Sequence, residues 1–487
     1  MSSRTASARS QPHTTARSCT PPYGVLTPDL WRSPFSRFRM RSHTATMVDR
    51  IEDTSRADRE AALADAGHNV FELASDDVAV DLLTDSGTGT MSNDQWAAML
   101  QGDEAYAGSA SFEDLAVAAE DVMGFQHIIP AHQGRGAENV LYGAVLSAGD
   151  TVLNNAHFDT TRAHVAANDA TPVDCPVDGA RDPDTDAPFK GNFSVERARR
   201  VVDDVGADAV PVVVLTITNN SMAGQPVSIE NTREVAAFAD DIDATFVIDA
   251  CRFAENAHFV QQREPGYEHD SVAAIAREQL SYADACVMSG KKDGLVNVGG
   301  FVGLHDDGRL HEQCRQRGIL YEGFSTYGGM SGRDMAAFAV GLREAVEPPY
   351  VAERVAQVQR LADALTDRDV PIYQPAGGHA VYIDANAALP HLPREQFPGQ
   401  AFVCELYREG GVRAVELGRF AFPDTDRRDL VRLALPRRTY GPDHLDHVAD
   451  TAAAVCERGT DVTGLEIVSE PELTELRHFS AALQPVA

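Results

Sequence analysis

The chain contains almost no lysine. Of its 42 basic residues only Lys190, Lys291 and Lys292 are lysines, and every other one is an arginine. A guanidinium stays protonated and is a poor nucleophile, so any chemistry that needs a reactive amine must use one of these three side chains. The adjacent pair Lys291 and Lys292 is therefore the first candidate for covalent chemistry.

Paired cysteines and long apolar runs are also lacking. The seven cysteines are scattered and form no CxxC motif, which argues against a disulfide framework or a zinc ribbon and favours a reducing compartment. No window has the length of uncharged apolar sequence that a membrane helix needs, and no apolar run near the start resembles a secretion signal. We therefore expect a cytoplasmic protein that does not enter a membrane.

Positive charge is scarce as well. The formal net charge is −31, from 73 acidic and 42 basic residues, and such a surface repels nucleic acid and anionic membranes. Residues 1–46 differ, because they hold seven arginines and one acidic residue, Asp29, among many serines, threonines and prolines. We predict that 1–46 is a disordered basic extension.

The acidity of the remaining chain leads to a first testable prediction. Dense carboxylates keep a surface hydrated in concentrated salt, and the salt screens their mutual repulsion. We expect a protein adapted to a high-salt cytoplasm, which unfolds when salt is removed. Melting temperatures measured from low to high salt test this, and a melting temperature independent of salt would contradict it.

The order of sequence patterns predicts an α/β fold. The chain has 487 residues, 43% of them hydrophobic, which suits one large and one smaller domain. Helix and strand patterns alternate from about 110 to 305, as in a doubly wound domain. The predicted helices are 137–146, 195–205, 229–239 and 271–279, and the predicted strands are 211–216, 245–248, 285–288 and 300–304. Continuous apolar runs such as 212–215 are typical of a parallel sheet covered on both faces.

A second, smaller α+β domain is predicted after residue 346. Glu-Pro-Pro at 347–349 marks a break, and a long amphipathic helix (351–365) and strands at 380–383 and 430–435 follow. Chain ends often meet in space, so we expect 47–90 to form an arm and the first part of this domain. The predicted boundaries are 91–346 for the large domain and 347–487 for the small one.

Polar residues at the ends of predicted strands indicate a pyridoxal-phosphate (PLP) site. Ligands of open α/β sheets bind beyond the carboxyl ends of the strands. Lys292 would carry the cofactor as a Schiff base, and Asp249 would keep its pyridine nitrogen protonated. The glycine-containing turn 132–136 before a helix, together with Ser289, would hold the phosphate, and Phe158 could stack on the ring.

Twelve stretches of the chain resemble the β-eliminating lyases, a PLP-dependent family with tryptophan-splitting and tyrosine-splitting members. The resemblance runs from about residue 50 to the end, and its longer stretches are LLTDSGTGTMS (82–92), PAHQGRGAENVL (130–141), IDACRFAENAHF (248–259), MSGKKDGLVNVGGF (288–301) and YEGFSTYGGMSGRDM (321–335). It implies the fold of the aspartate aminotransferase-like PLP-dependent transferases, fold type I, and a homotetramer with sites shared between subunits.

The resemblance also implies a role for individual residues. Lys292 would be both the Schiff-base lysine and the base at the substrate Cα. The residues expected to contact the cofactor are Lys292, Gln133, Gly134, Arg135, Phe158, Asn220, Asp249, Arg252 and Ser289. Arg432 would bind the substrate carboxylate, with Thr84 and Ser86 also at the substrate, and Tyr106 would help protonate the leaving group. Glu104 and the carbonyls of Gly87 and Asn297 match a monovalent-cation (K⁺) site.

Three positions favour tryptophan over tyrosine as the substrate. Asp159, Leu417 and His478 match the tryptophan-splitting members. Indole is larger and more apolar than phenol and has a single N–H donor. Asp159 could accept that N–H and stabilise the cation formed when indole C3 is protonated. The expected reaction gives indole, pyruvate and ammonia.

Several alternatives stay open at this point. Tyrosine cleavage, another β-lyase or an aminotransferase would use the same fold, and a PLP-free relative that acts only through assembly would keep it without chemistry. Glu104 could be an ordinary surface carboxylate, and His478 an ordinary packed histidine near the C-terminus.

Overall fold

The computed structural model describes residues 41–45, 47–423, 427–472 and 474–486. Residues 1–40 and residue 46 lie outside the described residues, and so does most of the predicted basic extension 1–46. Residues 41–487 form one compact unit. No helix in the described ranges is long and apolar enough to cross a membrane.

Helices make up most of the regular structure. The α-helices of the described residues are α1 (Arg56–Asp65), α2 (Asn93–Gln101), α3 (Ala110–Met123), α4 (Gly134–Val145), α5 (Asp159–Ala167), α6 (Val195–Val205), α7 (Ile229–Asp241), α8 (Phe253–Arg263), α9 (Val272–Leu280), α10 (Arg309–Tyr321), α11 (Gly332–Ala345), α12 (Pro348–Thr366), α13 (Ala385–Ala388), α14 (Pro398–Gly410), α15 (Pro442–Arg458) and α16 (Arg477–Ser480). Helix α6 matches the predicted range 195–205. Helix α12 begins at Pro348, three residues earlier than predicted. Proline is tolerated in the first turn of a helix, because the N–H that it lacks has no hydrogen-bond partner inside the helix at that position.

The strands are short and mostly buried. They are β1 (Val80–Asp81), β2 (His127–Ala131), β3 (Thr151–Asn154), β4 (Thr171–Asp174), β5 (Val212–Thr216), β6 (Thr245–Asp249), β7 (Ala285–Ser289), β8 (Gly300–Leu304), β9 (Ala380–Asp384), β10 (Val412–Arg413), β11 (Val415–Leu417), β12 (Leu430–Ala434), β13 (Leu465–Ser469) and β14 (Ala482–Pro485). The predicted strands of the large sheet correspond to β5, β6, β7 and β8.

A seven-stranded sheet forms the centre of the fold, in the order β2-β8-β7-β6-β5-β3-β4. Strands β4, β3, β5, β6 and β7 pair in parallel, whereas β8 is antiparallel to both of its neighbours. All five residues of β5 are buried, as expected for a strand covered on both faces. Strands β5, β6 and β7 are adjacent and parallel, so their carboxyl ends lie side by side at the same end of the sheet. The candidate site lies at this end.

A second apolar cluster gathers residues from near the start and from the last third of the described chain. It includes Leu63, Val80 and Leu82 together with residues between Val358 and Leu483. An antiparallel sheet, β11-β12-β9, and the parallel pair β1-β10 belong to this part. Helix α12 links the two cores, because Val351 packs in the large-sheet cluster and Val358 in the second one. The exact domain boundaries stay a prediction.

Candidate active site

The shared carboxyl end of β5, β6 and β7 brings the loop of Lys292 next to Asp249. Asp249, the last residue of β6, lies opposite Val287 of β7, and the turn with Lys292 directly follows β7. Cys251 joins the two, since its N–H donates to Asp249 Oδ1 at 3.2 Å and its Sγ accepts the N–H of Ser289 at 3.3 Å. Burial and the Asp249 carboxylate raise the pKa of the Cys251 thiol, and the Lys292 ammonium opposes that rise. The Lys292 amine and the Asp249 carboxylate therefore both lie close to Cys251, at the same end of the sheet.

A buried glutamate that the sequence reasoning missed lies near these groups. Glu138 of α4 accepts hydrogen bonds from the hydroxyls of Thr160, at 2.5 Å, and Thr161. Burial raises the pKa of Glu138 to about 7, the two threonines oppose the rise, and Asp249 adds to it. Glu138 thus links the helix of the predicted phosphate seat to helix α5, where Asp159 lies. The sequence did hold a signal for this glutamate. Glu138 lies four residues after Gly134, and residues four apart lie on the same face of a helix.

The start of α4 forms a seat that fits a phosphate. Gly134 is its first residue, and a Cβ there would lie 2.7 Å from the Cβ of Ser289, so the close approach of the two segments requires glycine. The N-cap residue Gln133 makes no capping hydrogen bond through its side chain within the described residues, which leaves first-turn N–H groups for an anion. Burial, Lys292 and Arg135 together lower the pKa of Lys291, so several cations converge on this seat.

Asn220 has a network of partners that sequence reasoning also missed. Its Oδ1 accepts from His379 Nε2 at 2.9 Å, from Tyr382 Oη at 3.1 Å and from Arg432 Nη1 at 2.9 Å. With its oxygen engaged three times, the amide nitrogen is the group left to donate to a ligand such as a ring hydroxyl. His379 and Tyr382 follow the paired glycines at 377–378, but nothing in the sequence gave them a partner.

Arg432 lies where a substrate carboxylate could bind. Its Nη2 donates to the carbonyl of Leu83 at 2.8 Å, which places the guanidinium beside the segment of Thr84 and Ser86. Its Nε is buried without a hydrogen-bond partner among the described residues. A buried unpaired donor of a charged group is costly, and a carboxylate would satisfy it.

The three residues predicted to select tryptophan surround Arg432. Asp159 is the first residue of α5, after the half-buried Phe158. Burial raises the pKa of Asp159, and the charge of Arg432 is the largest effect that opposes this rise. Burial and Arg432 lower the pKa of His478 to about 4, so this imidazole is neutral at pH 7. Leu417 pairs with Leu430 in β12, two residues from Arg432 on the same face of the sheet.

Two predicted residues do not join this pocket within one chain. Tyr106 is 69% exposed, and its ring lies 5.8 Å from that of Phe324 and 5.1 Å from that of Tyr327. Glu104 pairs with Arg333 at 2.8 Å on the surface. Both roles stay predictions.

Gly87 and Asn297, predicted to share the cation site with Glu104, do lie together. Asn297 Nδ2 donates to the carbonyl of Gly87 at 2.9 Å. A Cβ at Gly87, which has φ +77°, would clash with Lys291 Cε and lie 3.0 Å from the Asn297 carbonyl oxygen. This turn therefore needs glycine for its conformation and for the close approach of the lysine loop.

The chain is similar to known proteins over most of its length. The Beta-eliminating lyase family model matches residues 81–451. The tryptophanase of Salinibacter ruber is 48% identical over 457 residues, covering 92% of this chain and 95% of that protein. The tyrosine phenol-lyase of Pasteurella multocida is 46% identical over 448 residues, covering 90% of this chain and 97% of that protein.

The fold is confirmed by a more distant structure. Serine palmitoyltransferase of Sphingomonas wittichii superposes with a TM-score of 0.59 at 16% identity, covering 83% of this chain and 97% of that one. Together with the family match, this superposition confirms the expected PLP-dependent fold type I. The phosphate seat, the Asp249 carboxylate and the amine of Lys292 fit PLP. The family match and the extent of identity show that this chain belongs to the β-eliminating lyases, PLP-dependent enzymes that act on amino acids.

Proposed function

We propose that this lyase converts L-tryptophan to indole, pyruvate and ammonia. The observation that carries the proposal is the carboxyl of Asp159, partly buried and close enough to Arg432 for the guanidinium to act on its pKa. A partly buried carboxylate in this pocket suits the single N–H donor of indole. The apolar Leu417 and the neutral His478 add a surface that suits the rest of the bicyclic ring.

Each residue then has a defined task. Arg432 binds the substrate carboxylate and so fixes the orientation of the Cα–H bond. Lys292, released by the substrate amine, takes the Cα proton, and Asp249 holds the proton on the pyridine nitrogen. PLP held by Lys292, Asp249 and the phosphate seat would supply an electron sink for the pair left at Cα. Asp159 stabilises the positive charge on the indole ring when C3 is protonated, and Lys292 and Tyr106 are the candidate donors of that proton.

The exposed position of Tyr106 supports a site completed by a second copy. We propose that Tyr106, with the neighbouring Glu104, serves the active site and the K⁺ site of an adjacent subunit in a homotetramer. Exposed aromatic side chains such as Tyr106 and Tyr321, exposed by 69% and 55%, are typical of protein interfaces. The cytoplasmic location also stays a prediction.

A direct assay tests the proposed substrate. The PLP-loaded enzyme is incubated with L-tryptophan and, separately, with L-tyrosine, and indole and phenol are measured at equal substrate concentrations. We expect indole to form with the higher kcat/KM. Faster release of phenol would contradict the proposal and favour the activity named for the Pasteurella multocida relative.

Replacing Asp159 by asparagine separates recognition of indole from the elimination itself. The amide keeps the size of the side chain but loses its charge, and a hydrogen bond to a charged group is worth about 1.5–3 kcal/mol. We expect kcat/KM for tryptophan to fall by about 10–10²-fold.

The matched control for this variant is a second substrate rather than a second mutation. S-methylcysteine loses a thiolate and presents no indole, so its elimination should be almost unchanged in Asp159→Asn. An equal loss with both amino acids would show that Asp159 supports the site in general, and would remove the main argument for tryptophan.

A further inference from the structure

A charge-balanced cluster of six buried side chains lies behind the candidate site. Each exposes 6% of its surface or less, and we call them the ion cluster: Asp85, Arg252, Glu255, Asp293, Arg354 and Arg437. Replacing such buried ion groups by well-packed apolar side chains often leaves stability unchanged or increases it. Stability alone is therefore a weak reason for six buried charges, and of the six only Arg252 is among the residues expected to contact the cofactor.

Asp85 holds Arg252 by two parallel hydrogen bonds. Arg252 Nε donates to Asp85 Oδ2 at 3.0 Å, and Arg252 Nη2 donates to Asp85 Oδ1 at 2.7 Å. A bidentate pair fixes the plane of the guanidinium as well as its position. Nη1 makes no hydrogen bond among the described residues, so this pair leaves it to donate to a ligand.

Arg437 connects Asp85 to the loop that carries Lys292. Its Nη1 donates to Asp85 Oδ2 at 2.9 Å, and its Nη2 donates to Asp293 Oδ1 at 2.8 Å. Asp293 directly follows Lys292, and its Oδ2 accepts the N–H of Ala254 at 2.9 Å in the first turn of α8. Arg437 and Asp293 thus join the lysine loop, the helix after Asp249 and the segment of Asp85.

We propose that Asp85 is a positioning residue that orients Arg252 toward the cofactor ring and offsets its charge there. The proposal rests on the proposed function, in which PLP is bound, and on the contact between Arg252 and the ring hydroxyl of PLP that the family resemblance implies. Burial alone would raise the pKa of Asp85, but Arg252, His379 and Arg437 hold it well below its ordinary value, so the carboxylate is ionised throughout the working pH range. Its place between Thr84 and Ser86 also couples the substrate-contact segment to the ring.

The test uses the bound cofactor before any amino acid is added. The visible absorption of the holoenzyme is titrated with pH in wild type, in Asp85→Asn and in Glu255→Gln. The second variant is the matched control, because it removes one carboxylate from the ion cluster, while the hydrogen bonds of Glu255 go to Arg354 and Arg437 and not to Arg252. In Asp85→Asn the charge of Arg252 is no longer offset, which disfavours the protonated form of the bound cofactor.

We expect the titration midpoint of Asp85→Asn to fall by about one pH unit, with the midpoint of Glu255→Gln close to wild type. An unchanged or raised midpoint in Asp85→Asn, or the same shift in both variants, would overturn the proposal. Because no substrate is present, a wrong choice between tryptophan and tyrosine cannot produce either result.

A charge-balanced double variant covers the case in which Asp85→Asn does not fold. Asp85→Asn/Arg252→Gln removes one charge of each sign and is compared with Arg252→Gln alone. If Asp85 acts through Arg252, the two have the same midpoint, and a further shift in the double variant overturns the proposal. A wild-type midpoint in Arg252→Gln would refute the contact between Arg252 and the ring, and the proposal with it.

Discussion

Replacing Lys292 by alanine should lower β-elimination by about 10⁴-fold or more, because the variant loses both the covalent attachment of the cofactor and the base at Cα. The visible absorption of the imine bond should disappear at the same time. The measurement is indole release from tryptophan by wild type and variant after loading with excess PLP. The fold should persist, because Lys292 makes no side-chain hydrogen bond or ion pair among the described residues.

The matched control for Lys292→Ala is the variant Lys292→Arg. Lys292→Arg keeps a positive charge at the same place but cannot form the imine, so it should be as inactive as Lys292→Ala. Substantial activity in Lys292→Arg would mean that charge, and not the amine, is what the site needs, and the covalent role would have to be abandoned.

Replacing Asp249 by asparagine should lower the rate by about 10³-fold, since a neutral amide cannot hold a proton on the pyridine nitrogen and fixed charges of this kind contribute at least 10²–10³-fold in rate. The amide oxygen can still accept the N–H of Cys251, which Asp249 Oδ1 accepts at 3.2 Å. The loss should therefore appear in kcat more than in the binding of PLP, which equilibrium titration of the cofactor measures.

Asp284 provides the control for this second variant. It lies just before β7, and its Oδ2 accepts the N–H of Phe246 at 2.8 Å, at the opposite end of the strand that carries Asp249. Asp284→Asn makes the same chemical change on the same pair of strands and should leave the kinetics unchanged. Comparable losses in both variants would indicate damage to the sheet and not to the cofactor ring.

Local patterns explain why part of the site could be predicted. Asp249 and Lys292 each follow a short apolar strand, and adjacent parallel strands bring such ends together. The direction of β8 could not be predicted in the same way, because the run Gly-Phe-Val-Gly-Leu reads alike in a parallel or an antiparallel strand.

Long-range polar pairs account for what the sequence did not reveal. His379 and Asn220 are 159 residues apart in the chain, and Asp85 and Arg252 are 167 apart. No periodicity or spacing in the sequence predicts such a contact. A buried polar or charged side chain is tolerated only beside its partner, and packing of the whole fold decides which side chains become partners. The position of Tyr106 on the surface was equally hidden, because an aromatic residue gives the same local pattern in a pocket and at an interface.

The covalent link between cofactor and protein is the claim on which this account depends. Reduction of the holoenzyme with borohydride makes the imine permanent, and fragmentation of the modified peptide by mass spectrometry identifies the lysine that carries it. The account predicts a single label on Lys292, with Lys190 and Lys291 unmodified. A label on Lys190 or Lys291, or no label in a holoenzyme that still releases indole, would contradict it.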